Sequence, residues 1–256
     1  MKAARLHEYG KPLVLEDIPV PDIAEDEVLV QVKACGMCRS DVQLIDGYFR
    51  PYADLKPPLT LGHEIAGVIA KAGSLVPRGA GIAEGDHVVV APGWGDGVCR
   101  HCQVGDTQIC PNVRWPGFGP VGGFAEFIPV PVRYVIKVAE KLPFEQLAPL
   151  TDAGLTTYRG IRKLRDAGAL GPDRVIGVLG VGGLGAYAVQ YARLLGGGAR
   201  VVALARSEDK LKVAREYGVD HTIAVKDTSE ADVRKELHRT FGQGELDAII
   251  DCTGAP

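Results

Sequence analysis

Three cysteines and an aspartate fall at regular intervals in one short stretch, Asp96-x2-Cys99-x2-Cys102-x7-Cys110. Thiolates at such spacing are ligands for a tetrahedral divalent ion, and three of them leave one corner for a further donor. Whether Asp96 is that donor is the question the spacing raises. A second chemically equipped segment comes earlier: Cys35-x2-Cys38, then Ser40 and Asp41, followed downstream by Gly62-His63-Glu64. In isolation Cys35 and Cys38 fit a thioredoxin-like redox pair, but that reading needs a βαβ setting, and this pair follows a strand in a β-rich half. Six cysteines in 256 residues are too few for a disulfide scaffold. Their clustering suits metal ligation in a reducing compartment.

A third cluster is made of glycines. Gly180-x-Gly182-x2-Gly185 follows the apolar run Arg174–Leu179 and opens a helix with small residues at its start. In that strand–turn–helix setting the glycines allow a tight turn, approach of a pyrophosphate and close helix packing, which is a dinucleotide site. The alternative is a generic glycine-rich turn. The tip of the next strand discriminates between coenzymes, because an acidic residue there accepts bonds from the ribose of NAD. Here Ala205 is followed by Arg206 and Ser207. Arg206 can meet a 2′-phosphate with a charge-assisted bond, so NADP(H) is favoured over NAD(H). Against this, Arg206 is also read as solvated and Ser207 as the cap of the following helix. Glu208 and Asp209 are expected to face outward.

The elements that must position these groups change character along the chain. Roughly the first 140 residues carry short apolar or alternating runs punctuated by Gly and Pro, a β-rich pattern. From Arg174 onward, strands at about 174–180, 199–205, 220–225 and 246–254 alternate with helical stretches ending near Gly196, Gly218 and Gly242. That alternation implies a parallel sheet with right-handed crossovers, so the fold class is α/β. Residues 141–172 read as mostly helical. Four strands are fewer than the roughly six of a complete doubly wound sheet, so Pro256 is expected to be a truncation point. With 29 Lys and Arg against 32 Asp and Glu, the net charge is −3. That balance supports neither nucleic acid nor anionic membrane as partner. Without an N-terminal apolar run or a long apolar segment, the expectation is a soluble cytoplasmic protein.

One longer motif joins these pieces: Gly62-His63-Glu64-x2-Gly67-x5-Gly73-x2-Val76. With "GDHVVV", "GGFAEF", "DAGLTTYR" and "GVGGLG" in order, the chain resembles the zinc-containing alcohol dehydrogenases of the medium-chain dehydrogenase/reductase superfamily. The resemblance implies a GroES-like catalytic domain at 1–150, with a structural-zinc lobe at about 91–115. A linker helix and a partial Rossmann domain follow at 151–256, with the active site in the cleft between the domains. It implies Cys38, His63 and Asp152 as catalytic zinc ligands, Asp152 standing where many relatives have cysteine; its alternative reading is a helix N-terminal carboxylate. By the same resemblance Asp96, Cys99, Cys102 and Cys110 hold a second, structural zinc, while Cys35 is a buried thiol and His101 is solvated.

Glu64 matches a labile glutamate near the metal, and Asp41 a carboxylate that orients the histidine. A salt-bridge partner and a turn cap are their respective alternatives. Ser40 matches the residue that takes the hydroxyl proton, but Gln43 replaces a relay histidine, so water or another route must finish that path. Thr156 and Val181 are implied at the nicotinamide and Arg39 at the pyrophosphate; helix packing is the other reading of Thr156. The implied activity is zinc-dependent hydride exchange between alcohols and aldehydes or ketones, in a homo-oligomer acting on a small molecule. A polyol or sugar dehydrogenase, or an inactive fragment that only binds zinc and nucleotide, is the alternative.

Overall fold

A computed structural model describes residues 1–76 and 81–254; Pro256, the expected truncation point, lies outside them. The chain divides into two compact units, Met1–Asp152 and Ala153–Pro256. No helix of the described residues is long and apolar enough to cross a membrane.

The first unit contains β1 (Lys2–Leu6), β2 (Val14–Asp17), β3 (Glu27–Gly36), α1 (Arg39–Ile45), β4 (Leu59–Thr60), β5 (Glu64–Ala72) and β6 (His87–Val90). Then come the single turn α2 (Arg100–Gln103), β7 (Phe127–Pro131), β8 (Val135–Lys137) and α3 (Phe144–Leu147). An antiparallel sheet runs in the order β7-β3-β5-β6-β8, and a smaller one in the order β2-β1-β4. Period-two alternation gives the larger sheet its inner face: Val28 and Val30, Ile65 and Ile69, Val88 and Val90, and Ile128 and Val130 form one buried cluster. On the opposite face Ala66 and Val89 meet Leu147 and Ala148. That second contact matters for the site, because it lays α3 and the 3-10 turn Ala148–Thr151 across the sheet and delivers Asp152 to the start of β5. Leu44 on α1 packs with Leu6, Leu59 and Leu61 and so ties the helix to the segment leading into His63.

The second unit contains α4 (Ala153–Asp166), β9 (Val175–Leu179), α5 (Gly183–Leu195), β10 (Arg200–Ala205), α6 (Glu208–Glu216), β11 (His221–Ala224), α7 (Glu230–Phe241) and β12 (Ala248–Asp251). Its sheet is parallel throughout, in the order β11-β10-β9-β12. On β10, Val201, Ala203 and Ala205 pack with residues of α4, α5 and α6, while Val202 and Leu204 pack with Leu237 of α7. Helices cover both faces, which is why the strand is apolar throughout 201–205 and does not alternate. α6 and α7 give way to glycines in the left-handed region, Gly218 at φ +79° and Gly242 at φ +77°.

Candidate active site and metal lobe

Cys38, His63 and Asp152 converge: one ligand atom from each lies within 4.8 Å of the others. Local folding brings this about. Cys38 occupies the N-cap of α1, where the Asp41 carboxylate accepts from the Cys38 amide at 2.9 Å. The other Asp41 oxygen accepts from the Gly62 amide at 3.1 Å and stands 3.6 Å from His63 Nδ1. One carboxylate therefore joins the turn carrying Cys38 to the turn carrying His63. Both Asp41 and His63 are buried, at 3% and 5% exposure.

His63 Nδ1 is buried without a hydrogen bond, Asp41 being its facing acceptor just beyond bonding distance. A proton held on Nδ1 toward Asp41 leaves Nε2 as a donor atom. Nε2 points at the cluster, 3.5 Å from Asp152 Oδ2 and 3.3 Å from Ser40 Oγ. Burial opposes charging this imidazole, but Asp152, Asp41 and Cys38 outweigh it and raise its pKa to about 12. With a thiol, an imidazole and a carboxylate as donors and the imidazole Nε2 turned toward the other two, the cluster fits a zinc ion with one position left open. Glu64 is buried beside His63 and falls outside the ligand cluster. Its carboxylate lies over Gly36, where a Cβ would stand 1.9 Å from Oε2. Cys35 is half-buried against the sheet core, and burial pushes its thiol up to about 12.

The second cluster, Asp96, Cys99, Cys102 and Cys110, meets the same 4.8 Å criterion. Asp96 accepts from the amides of Val98 and Cys99 with one oxygen and from the Asn112 side chain with the other. The Asn112 amide foremost, then those backbone amides, hold its carboxyl well below the usual carboxylate range. Cys110 Sγ accepts from the amides of Asp96 and Asn112, both at 3.4 Å. The Cys102 amide on Cys99 Sγ lowers that thiol's pKa, whereas desolvation pushes Cys102 up to about 11. Amides aimed at sulfur suit thiolates, and the donor set fits a closed tetrahedral ion. His101 is half-buried and receives a bond from Arg100 Nε at 3.3 Å.

In the second unit Gly180 has φ +86°, which a side chain resists, and a Cβ on Gly185 would stand 1.9 Å from Gly180 O. The turn and the first turn of α5 are therefore in direct backbone contact. Among the described residues nothing lies within 4 Å of a Cβ built on Gly182 or Gly183, which leaves the helix entrance open to a ligand there.

Comparison with known proteins adds to this geometry. Residues 24–140 match the model of the alcohol dehydrogenase GroES-like domain, and residues 183–256 match that of zinc-binding dehydrogenases. An NAD-dependent alcohol dehydrogenase of Sulfurisphaera tokodaii is 40% identical over 263 residues, covering 100% of this chain and 72% of the relative. The chain belongs to the zinc-containing alcohol dehydrogenase family. A D-arabinose 1-dehydrogenase (NADP(+)) of Saccharolobus solfataricus is 36% identical over 88% of this chain and 63% of its own length. Among solved structures, the alcohol dehydrogenase of Aeropyrum pernix superposes with a TM-score of 0.87 at 37% identity, covering 100% of this chain and 72% of that one.

The remaining expected residues of this family member belong to both units. Arg39 is exposed at the first position of α1. Thr156 is exposed on α4, and the packing role falls to its neighbour Thr157, which is buried and bonds to Ala153 O and Gly154 O. Val181 is 4% exposed, packed among Ile161, Val178 and Ala188. Arg206 and Ser207 are exposed beyond β10; Ser207 occupies the N-cap of α6 without a side-chain bond. Glu208 is ion-paired with Arg215. One aromatic residue escaped notice in the sequence. The Phe118 ring lies 5.9 Å from that of His63 and 5.3 Å from that of Phe49. It borders a cavity of about 450 Å³ lined also by Leu55, Trp94, Trp115 and Val121. Nothing but the aromatic content of its surroundings marked Phe118, since its neighbour His63 is distant along the chain.

Proposed function

We propose that the chain interconverts alcohols with aldehydes or ketones, with a nicotinamide dinucleotide as hydride partner and zinc held by Cys38, His63 and Asp152. The observation that carries this reading is the meeting of those three donors within 4.8 Å in a chain that also has the open glycine turn. Zinc bound there supplies Lewis acidity, which lowers the pKa of an alcohol hydroxyl toward neutrality. The chain's own residues do the rest. Asp41 orients His63 and fixes the Cys38 turn. Ser40, beside His63, takes the hydroxyl proton, and with Gln43 unable to titrate, water carries it onward. Residues 1–150 serve as the catalytic domain and 151–256 as the dinucleotide domain, with Gly180, Gly182 and Gly185 under the pyrophosphate. Asp96, Cys99, Cys102 and Cys110 hold a second, structural zinc.

NADP(H) is our preferred coenzyme. Its support is the exposed Arg206 at the strand tip and the engagement of Glu208 by Arg215, which removes the nearest carboxylate from the ribose. The relatives' names include both coenzymes. For substrate, the apolar lining next to Phe118 favours alcohols with a hydrocarbon or aromatic side chain. A sugar dehydrogenase is the second reading, favoured by the D-arabinose relative. The test is zinc content together with alcohol- and pentose-dependent reduction of NADP⁺ and NAD⁺. A folded chain that reduces neither coenzyme with any alcohol sinks the proposal, and faster turnover of pentoses than of apolar alcohols sinks the substrate assignment.

A further inference from the structure

The lobe's metal cluster carries more negative charge than its ion can balance. Three thiolates and a carboxylate around a divalent cation leave a surplus of two negative charges. The hydrogen bonds that reach these ligands from the lobe itself come from neutral groups, the amides of Asp96, Val98, Cys99, Cys102 and Asn112 and the Asn112 side chain. A full positive charge arrives from outside the lobe. Arg133, in the 3-10 turn Val132–Tyr134 before β8, donates from Nη2 to Gly95 O at 2.7 Å. The Tyr134 hydroxyl donates to the same carbonyl at 3.0 Å, and the guanidinium lies 5.2 Å from the Tyr134 ring centroid.

The two glycines flanking Asp96 record how closely this arrangement is packed. A Cβ on Gly97 would stand 2.8 Å from Arg133 Nη1, and one on Gly95 would stand 2.5 Å from Cys102 Sγ. The strip Gly95-Asp96-Gly97 is therefore enclosed by the guanidinium on one side and a ligand thiol on the other. Among the described residues no carboxylate forms an ion pair with Arg133, so its charge is not neutralised locally. Trp94 and Arg114 close the neck of the lobe by a pair of backbone bonds at 2.8 and 2.9 Å.

We propose that Arg133 is the positioning residue of the lobe's metal centre: it supplies the counter-charge and, through Gly95 O, holds Asp96 in ligating position. This rests on the reading of the lobe as a metal site. Tyr134 shares the anchoring without the charge.

The full chain carrying Cys38→Ser, so that only the lobe ion is counted, is loaded with Zn²⁺ and challenged with a chromogenic chelator. Arg133→Ala is expected to lose zinc about 10–100-fold faster, the usual scale for groups that support ligands. Arg133→Lys recovers part of the loss, because the charge returns without the fork. Tyr134→Phe changes the rate less than Arg133→Ala does. With Co²⁺ in place of Zn²⁺, the thiolate-to-metal absorption band shifts in Arg133→Ala and stays in place in Tyr134→Phe, a distinction that loss of packing alone does not produce. Arg133→Gln keeps a donor without the charge and takes the place of the alanine variant if that one does not fold. Zinc release at the parent rate from the uncharged variants, or a lysine variant no better than them, overturns the proposal. A Cys38→Ser chain that takes up no metal removes the lobe reading and the role of Arg133 together. One that holds an ion which a further Cys102→Ser change abolishes keeps the lobe reading, and the Arg133 variants then judge the proposal alone.

Discussion

Asp41 accepts from the backbone of both turns that carry Cys38 and His63, and a buried carboxylate is stable only when such donors answer its charge. Asp41→Asn keeps the shape and removes the charge facing His63. Zinc affinity at the catalytic cluster is expected to fall about 10–100-fold, read by chelator competition; unchanged affinity rejects the orienting role. His63 itself implies proton exchange. Asp152, Asp41 and Cys38 raise its pKa from 6.5 to about 12 against the opposing effect of burial. The folded form binds a proton there that the unfolded form lacks between those values. The stabilisation is therefore complete below about 6.5 and is lost as pH rises through 12. A metal ion must displace that proton, so zinc binding at pH 7 should release protons. Titration calorimetry in buffers of different ionisation heat detects the release, and an enthalpy independent of buffer contradicts it. At the coenzyme end, Arg206→Ala should raise the KM for NADP⁺ about tenfold or more, on the order of 1.4 kcal/mol, and leave that for NAD⁺ unchanged. Equal effects on both coenzymes would remove Arg206 from the 2′-phosphate.

Among the elements, the turn into α5 separates a packing requirement from a binding one. Gly185 touches the carbonyl of Gly180, so Gly185→Ala has no room and should destabilise the second unit by about 1–3 kcal/mol. Gly182 has open space where its Cβ would be, so Gly182→Ala should keep stability within about 0.5 kcal/mol. It should nonetheless weaken dinucleotide binding, because the added methyl occupies the approach of the pyrophosphate. Thermal unfolding and coenzyme titration on both variants check this pair. Equal binding by Gly182→Ala and the parent would move the pyrophosphate away from this turn.

For the molecule as a whole, the lobe at 91–115 is the part least able to stand on its own packing. Apart from the cluster's own Cys110, its buried hydrophobic residue is Trp94, and a buried large side chain is worth only about 1.5–3 kcal/mol. On the proposed reading of the lobe as a structural-zinc site, the ion would contribute on the order of 10 kcal/mol and outweigh the packing there. Stripping metal with a strong chelator should expose residues 96–110 to proteolysis while the three sheets stay folded, as read by mass spectrometry of the fragments and by circular dichroism. A lobe that resists protease without metal would mean that its turns and the Arg133 and Tyr134 bonds suffice.

Local spacing carried much of this protein on its own. The cluster of Asp96, Cys99, Cys102 and Cys110, the glycine turn and the alternating strands and helices of the second unit are close-range patterns. Each records a constraint that acts over a few residues: ligand reach, backbone approach, or burial on one face or two. The resemblance to a known family supplied the grouping of Cys38 and His63 with Asp152, which are too far apart in sequence for spacing to relate them. Their convergence depends on Leu147 and Ala148 packing on Ala66 and Val89, and on Leu44 packing with Leu6, Leu59 and Leu61. Phe118 beside His63, Thr157 rather than Thr156 inside its helix, and Arg133 against Gly95 were decided the same way. Apolar burial is non-directional and long-range in sequence, so which distant side chains share a neighbourhood is settled only when the sheets close.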